Sequence, residues 1–181
     1  MGALARNGEA VRTPAGAAET AEQAKQYLTF SVSGETFGIA ISAIKEIIEY
    51  REPTDVPMMP PFIRGVINLR GRVVPVVDLS VRFGRSRMDV VRRTCIVILE
   101  IHEGGERQEI GAVVDAVSAV VDIPEADIEP PPQFGARLRA DFISGMGRLG
   151  EKFVILLDVD RVLSVEELAT LGGLVENATV A

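Results

Sequence analysis

One pattern occurs twice in this chain and points to a duplicated fold. Phe62-Ile63-x-Gly65-x-x-x-Leu69, followed by Val74 and Asp78, returns 80 residues later. The second copy is Phe142-Ile143-x-Gly145-x-x-x-Leu149, followed by Val154 and Asp158, with no gap. Upstream, Phe37-Gly38-Ile39-Ala40-Ile41-Ser42-Ala43-Ile44 is echoed by Ile110-Gly111-Ala112-Val113-Val114-Asp115-Ala116-Val117. Each copy offers about five short apolar strands separated by Gly and Pro turns. Closing them into a small barrel removes the exposed sheet edges. A barrel of roughly 60–70 residues is marginal alone, because small domains bury a low fraction of their surface. Two should therefore pack together, sharing a core and leaving a groove between them. The fold class is mainly β.

Within the first copy, Phe62 to Leu79 reads as a hairpin. Gly71-Arg72 suits a two-residue type II′ loop with Gly first. The strands are apolar on both faces, so both faces should be covered. Asn68 and Arg70 interrupt the run and, on a strand, share one face. The repeat supplies an internal control. Gly65, Leu69 and Asp78 recur as Gly145, Leu149 and Asp158 and belong to folding, whereas Arg70 aligns with Gly150 and Glu46 with Ala119. These charges are not demanded by the barrel.

The 181 residues carry a net charge of −7, which argues against general nucleic-acid binding. The single cysteine, Cys95, allows no intrachain disulfide and reads as a small buried hydrophobe. No apolar run reaches membrane-helix length, and scattered charges exclude a signal peptide. Residues 1–25 read as a disordered leader, and the protein as cytoplasmic.

The remaining elements follow from turn signals. Tyr27–Val32 and Thr36–Ile41 form a hairpin about Ser33-Gly34-Glu35. Ser42 can cap a short helix through Glu46. Pro53 to Pro61 is a loop, and Asp78 to Phe83 a helical turn. Arg82, Arg85, Arg87, Arg92 and Arg93 form a basic linker, either solvated or a contact for an acidic partner. Strands follow at Thr94–Ile101 and within Glu109–Ile123, then a Pro-rich loop and a hairpin from Phe142 to Asp158. Ser164-x-x-Glu167 is a capping box for a helix over 164–172, with a flexible tail at 173–181. The barrels are tandem or intertwined, approximately 26–90 and 91–163.

No catalytic constellation assembles. His102 sits beside a Gly104-Gly105 turn and reads as a surface residue. Asp158 and Asp160 share a strand face near its end. Gly145-x-Gly147-x-x-Gly150 matches a dinucleotide motif on paper, but the residues after it read as a strand where that motif needs a helix. No cofactor or metal is implied, since metal sites need converging ligands.

Asn68-Leu69-Arg70-Gly71 followed by Val74-Pro75-Val76-Val77-Asp78-Leu79, with Phe62-Ile63-x-Gly65 before it, resembles the signature of the CheW family of chemotaxis coupling proteins. The resemblance runs from about Tyr27 to Leu171. It implies two five-stranded SH3-like barrels and a non-enzymatic adaptor. The implied partners are the regulatory domain of a CheA-type histidine kinase and the cytoplasmic tips of methyl-accepting chemoreceptors. It implies receptor contact at Ile44, Glu46, Ile47, Arg70, Val117 and Val120, and kinase contact at Gly65, Gly71, Thr94 and Ile96. Flagellar chemotaxis and a related chemosensory pathway both stay open, and a small-molecule sensor is the competing class.

Overall fold

A computed structural model describes residues 24–131 and 140–164. Eleven strands form two sheets among these residues. They are β1 (Ala24–Val32), β2 (Glu35–Ala40), β3 (Ile44–Glu49), β4 (Ile63–Leu69), β5 (Arg72–Asp78), β6 (Cys95–Glu103), β7 (Glu106–Val114), β8 (Ala116–Pro124), β9 (Ile128–Glu129), β10 (Ile143–Leu149) and β11 (Lys152–Leu157). Short helices α1 (Leu79–Arg82) and α2 (Val159–Val162) follow β5 and β11. The helix 164–172, the tail, and the leader up to residue 23 lie outside the described residues, Ser164 excepted. The first strand begins inside the predicted leader, because Ala24 and Lys25 pair with Pro124 and Ile123.

One sheet has the order β8-β1-β2-β11-β10-β9 and the other β3-β6-β7-β5-β4. The repeat equates β1-β2 with β6-β7, β3 with β8, and β4-β5 with β10-β11. Each barrel is thus completed by the hairpin of the other copy. The N-terminal hairpin joins strands from beyond residue 115, and β6-β7 joins strands from before residue 79. A tandem division at residue 90 does not follow the sheets. The exchange is sealed by two parallel pairings, β2 with β11 and β5 with β7. The two-residue β9 has a counterpart in the Thr54–Val66 bridge, so the sheets match strand for strand.

Finer features repeat as well. Register shifts fall at Ile63/Gly65 and at Ile143/Gly145. A Cβ on Gly65 would lie 2.2 Å from the Thr54 carbonyl oxygen, and one on Gly145 would meet Ile128 at 2.6 Å. Only glycine lets the bridging segment approach so closely. Asp78 and Asp158 both cap the short helix that follows, through the amides of Ser80 and Arg161 respectively.

One core cluster crosses from sheet to sheet, joining Phe30, Phe37 and Ile39 with Val76, Ile98 and Ile110. At the junction the Arg82 guanidinium lies 4.7 Å from the Phe62 ring centre and 4.8 Å from that of Phe142. Those phenylalanines are repeat equivalents. Arg82 Nε also donates to the carbonyl of Val162, its own repeat equivalent, at 2.8 Å. One cation therefore bridges both copies where they meet.

Several local expectations are corrected. Ser42 starts no helix. Ile41–Ala43 is a 3-10 turn and Ile44–Glu49 a strand, since Ile44, Ile47 and Ile48 pair along β6 and β-branched side chains favour a sheet. Arg72 pairs with Leu69, so the hairpin loop is Arg70-Gly71. Both residues have positive φ, 52° and 83°, which is the type I′ pattern. The proposed II′ pattern belongs to the second copy, where Gly150 but not Glu151 has positive φ. Nor is the first hairpin covered on both faces, because Val73 is 74% exposed.

The linker after α1 is anchored. The Arg64 side chain is almost wholly buried against fully buried Asp78, with Nε 3.0 Å from Oδ2. It also donates to Tyr50 Oη at 2.9 Å and to the Met88 carbonyl, while the Met88 amide donates to Asp78. Leaving one member of such a buried pair alone costs about 3–5 kcal/mol. Urea unfolding of Arg64→Ala should show a loss of that order, and a loss under about 1 kcal/mol would contradict the account. Separately expressed fragments 1–90 and 91–181 should each lack a cooperative thermal transition and regain one on mixing. A fragment that melts cooperatively alone would contradict the exchanged-hairpin description.

Candidate functional site

The polar interruption of the first hairpin separates into two roles. Asn68 is structural, since its Oδ1 accepts from the Gly71 amide at 2.8 Å and closes the turn. Arg70 is not on the strand but at the tip, in a left-handed conformation that bulky residues seldom adopt. From there it reaches Glu46 on β3, an edge strand of its sheet. Nη1 lies 2.6 Å from Oε2 and Nη2 3.0 Å from Oε1, a two-pronged guanidinium–carboxylate contact. The side chains remain 65% and 28% exposed. The Arg70 hydrogen bond holds the Glu46 carboxyl below its ordinary pKa, and Glu46 raises that of Arg70. In the second copy a glycine takes the tip position at φ 66° without strain.

Further ion pairs extend from this tip across the same sheet. Arg72 pairs with Glu109, and Lys45 with Glu100 at 3.0 Å. His102 and Arg107 stand 3.5 and 3.6 Å from Glu100, whose pKa is lowered first by its hydrogen bond from Lys45. The tip is thus the end of a face of paired charges bordered by exposed Val73.

The predicted receptor residues fall into two sets. Ile44, Glu46 and Ile47 share β3, and Glu46 brings Arg70 to them. Ile47 is 42% exposed, whereas Ile44 packs partly against the core. Val117 and Val120 lie on β8, the equivalent edge strand of the other barrel. Val120 is 49% exposed and Val117 packs partly against the core.

The predicted kinase residues are mostly interior. Ile96 is fully buried and Thr94 nearly so. The Thr94 hydroxyl accepts from the Val91 amide at 2.8 Å, and Gly65 is fixed by its contact with Thr54. All three positions are buried in the free chain. Gly71 is exposed, but it neighbours Arg70 and belongs to the same tip.

Val73 and its repeat equivalent Phe153, 46% exposed, both face outward. In Val73-Val74-Pro75-Val76-Val77 the residue types do not reveal which valines face out. The turn position does, because one residue of shift exchanges the faces.

The acidic residues and the cysteine singled out in the sequence have defined structural placements. Asp158 caps α2, and Asp160 lies in that helix and accepts from the His102 amide at 3.0 Å, so the two do not form a strand-face carboxylate pair. Burial raises the Cys95 thiol pKa, away from the thiolate form a nucleophile needs. Among the described residues no His, Cys, Asp and Glu groups converge for a metal. Nor is any helix there long and apolar enough to cross a membrane.

Because Glu46 has a lowered folded-state pKa, its pairing stabilises the fold above the ordinary carboxylate range. That contribution fades as pH falls through the lowered folded value. Carboxyl-resolved NMR titration should place the Glu46 midpoint lower in the wild type than in Arg70→Ala. Equal midpoints would show that the contact is not held in solution.

Residues 26–167 match the family described as CheW-like domain. The chemotaxis protein CheW of Klebsiella aerogenes is 38% identical over 153 residues, spanning 84% of this chain and 89% of that protein. CheW of Bacillus subtilis is 31% identical, covering 78% and 88%. Protein FrzA of Myxococcus xanthus is 30% identical, covering 71% and 78%. The crystal structure of the scaffolding protein TtCheW from Thermoanaerobacter tengcongensis superposes with a TM-score of 0.70 at 35% identity, over 78% of this chain and 88% of that one. The duplicated barrels, the hairpin signature and these relatives agree: the chain belongs to the CheW-like family of chemotaxis scaffold proteins.

Proposed function

We propose that the protein is a non-enzymatic adaptor that couples chemoreceptors to a CheA-type histidine kinase. One observation carries the reading. Arg70 adopts an unfavourable backbone conformation to present a guanidinium beside Glu46, at a position the other copy fills with glycine. An exposed ion pair contributes little to folding, so the charged tip is better explained by partner recognition. Charge arranged in this way sets specificity and orientation more than affinity.

In this reading Glu46, Ile47 and Arg70 contact the receptor tip, with Ile44 supporting the strand beneath and Val117 and Val120 extending the contact on the other barrel. Gly65, Thr94 and Ile96 act on kinase binding through the shape of the barrel, and Gly71 through the turn that sets Arg70. Exchanged hairpins make the two barrels one body, which suits a part that must hold two unlike partners at fixed geometry. Individual contacts of this kind are modest, and assembly supplies avidity. The location that follows is the cytoplasm, at membrane-bound receptor arrays reached through partners. The similarity to Protein FrzA, whose name does not mention chemotaxis, supports a second reading in which the same coupling serves a non-flagellar chemosensory pathway.

Co-sedimentation of the full chain with a histidine kinase and receptor fragments tests the reading. The wild type should join both. Arg70→Ala and Glu46→Ala should melt within about 2 °C of the wild type yet lose roughly tenfold in receptor-dependent kinase activation. A wild type that joins neither partner, or variants that keep full coupling, would contradict it.

A further inference from the structure

The segment between α1 and β6 is a built surface. Arg82 and Arg85 are engaged internally, with Phe62, Phe142 and Val162 in one case and with Glu35 in the other. Arg87, Arg92 and Arg93 point outward and make no ion pair among the described residues. Between them Val90 and Val91 are 47% and 57% exposed. Met88 is buried, and both its backbone groups are held by the Arg64–Asp78 pair. A turn bonded to Thr94 fixes the other end, with the Thr94 amide donating to the Val91 carbonyl at 3.1 Å and the Val91 amide to the Thr94 hydroxyl.

The repeat again acts as a control. The position equivalent to Arg64 is Ser144, which makes a simple hydrogen bond to the Leu156 carbonyl. The costly buried ion pair occurs only in the copy whose helix leads into this segment. A merely solvated linker would need no such anchor.

We propose that residues 87–93 form a rigid basic ledge with an aliphatic centre that docks an acidic segment of a protein partner. Three arginines against Asp89 give the ledge a net +2 on a chain of −7. Glu49, opposite Cys95 in the β3–β6 pairing, borders it. The complementary partner presents carboxylates around an aliphatic side chain that covers Val90 and Val91. An anionic membrane fits less well. Lipid-binding basic clusters hold about 4–8 cations, and the body of this protein is acidic. The partner's identity rests on the adaptor reading above.

Titration calorimetry of the full chain against the kinase regulatory domain and against a receptor tip fragment, at 50 and 300 mM NaCl, tests the ledge. For one of the two partners the wild-type affinity should fall about tenfold over that range, as exposed charge attraction is screened. The triple variant Arg87→Ser, Arg92→Ser, Arg93→Ser should bind that partner about tenfold more weakly at low salt and show little salt dependence. Val90→Ser with Val91→Ser should weaken binding while keeping the salt slope. Arg85→Ser should leave the slope unchanged. A triple variant with wild-type affinity and slope for both partners overturns the ledge alone. A wild type that binds neither overturns the adaptor reading and the ledge together. Phosphatidylglycerol vesicles that bind the wild type but not the triple variant would reassign the surface to lipid.

Discussion

Each barrel is completed by a hairpin from the other copy of the repeat, and the rest of the architecture depends on that exchange. The parallel seams β2–β11 and β5–β7 make the copies inseparable. One apolar cluster can then cross both sheets. Arg82 can be held between two equivalent phenylalanines only because the copies meet at that point. Residues 24–131 and 140–164 thereby form one body, where two small barrels would each be marginal.

Duplication supplies two similar frames, and the differences between them are informative. The first copy has Arg70 at its hairpin tip, Glu46 across from it, and the buried Arg64–Asp78 pair behind. The second has Gly150, Ala119 and Ser144 there, and exposes Leu149 where the first copy buries Leu69. Folding needs are met in both, and in the proposed reading the exposed Arg70–Glu46 pair of the first copy serves a partner. Strain at Arg70 and a buried ion pair under the linker are costs on the side of folding. They are offset by what they hold in place: a fixed guanidinium at the tip and a fixed basic segment beside β6.

Much of this was legible in the residues. The 80-residue repeat and the hairpins were readable because spacing and turn chemistry encode them, whereas the repeat marked Asp78 and Asp158 as folding residues without revealing that they cap helices. The pairing of Glu46 with Arg70 was reachable from the two positions where the copies disagree. The exchange of hairpins was not, since either arrangement buries the same apolar strands. The loop was misplaced by one residue because Gly71 serves a I′ turn as its second residue and a II′ turn as its first. That shift hid the exposure of Val73. Ile96 and Thr94 looked available because a strand start carries no mark of its burial. The anchoring of the linker was hidden for a similar reason, since Met88 stands alone among charged residues and its partners are distant in sequence.

The central claim is that partner recognition uses the charged tip of the first copy and not its glycine-bearing equivalent. Amide chemical-shift mapping of the labelled full chain with a receptor tip fragment tests it most directly. Perturbations centred on Glu46, Ile47, Arg70 and Gly71 are the predicted result. Perturbations centred on Leu149, Gly150 and Glu151, with the Arg70 tip unmoved, would contradict it.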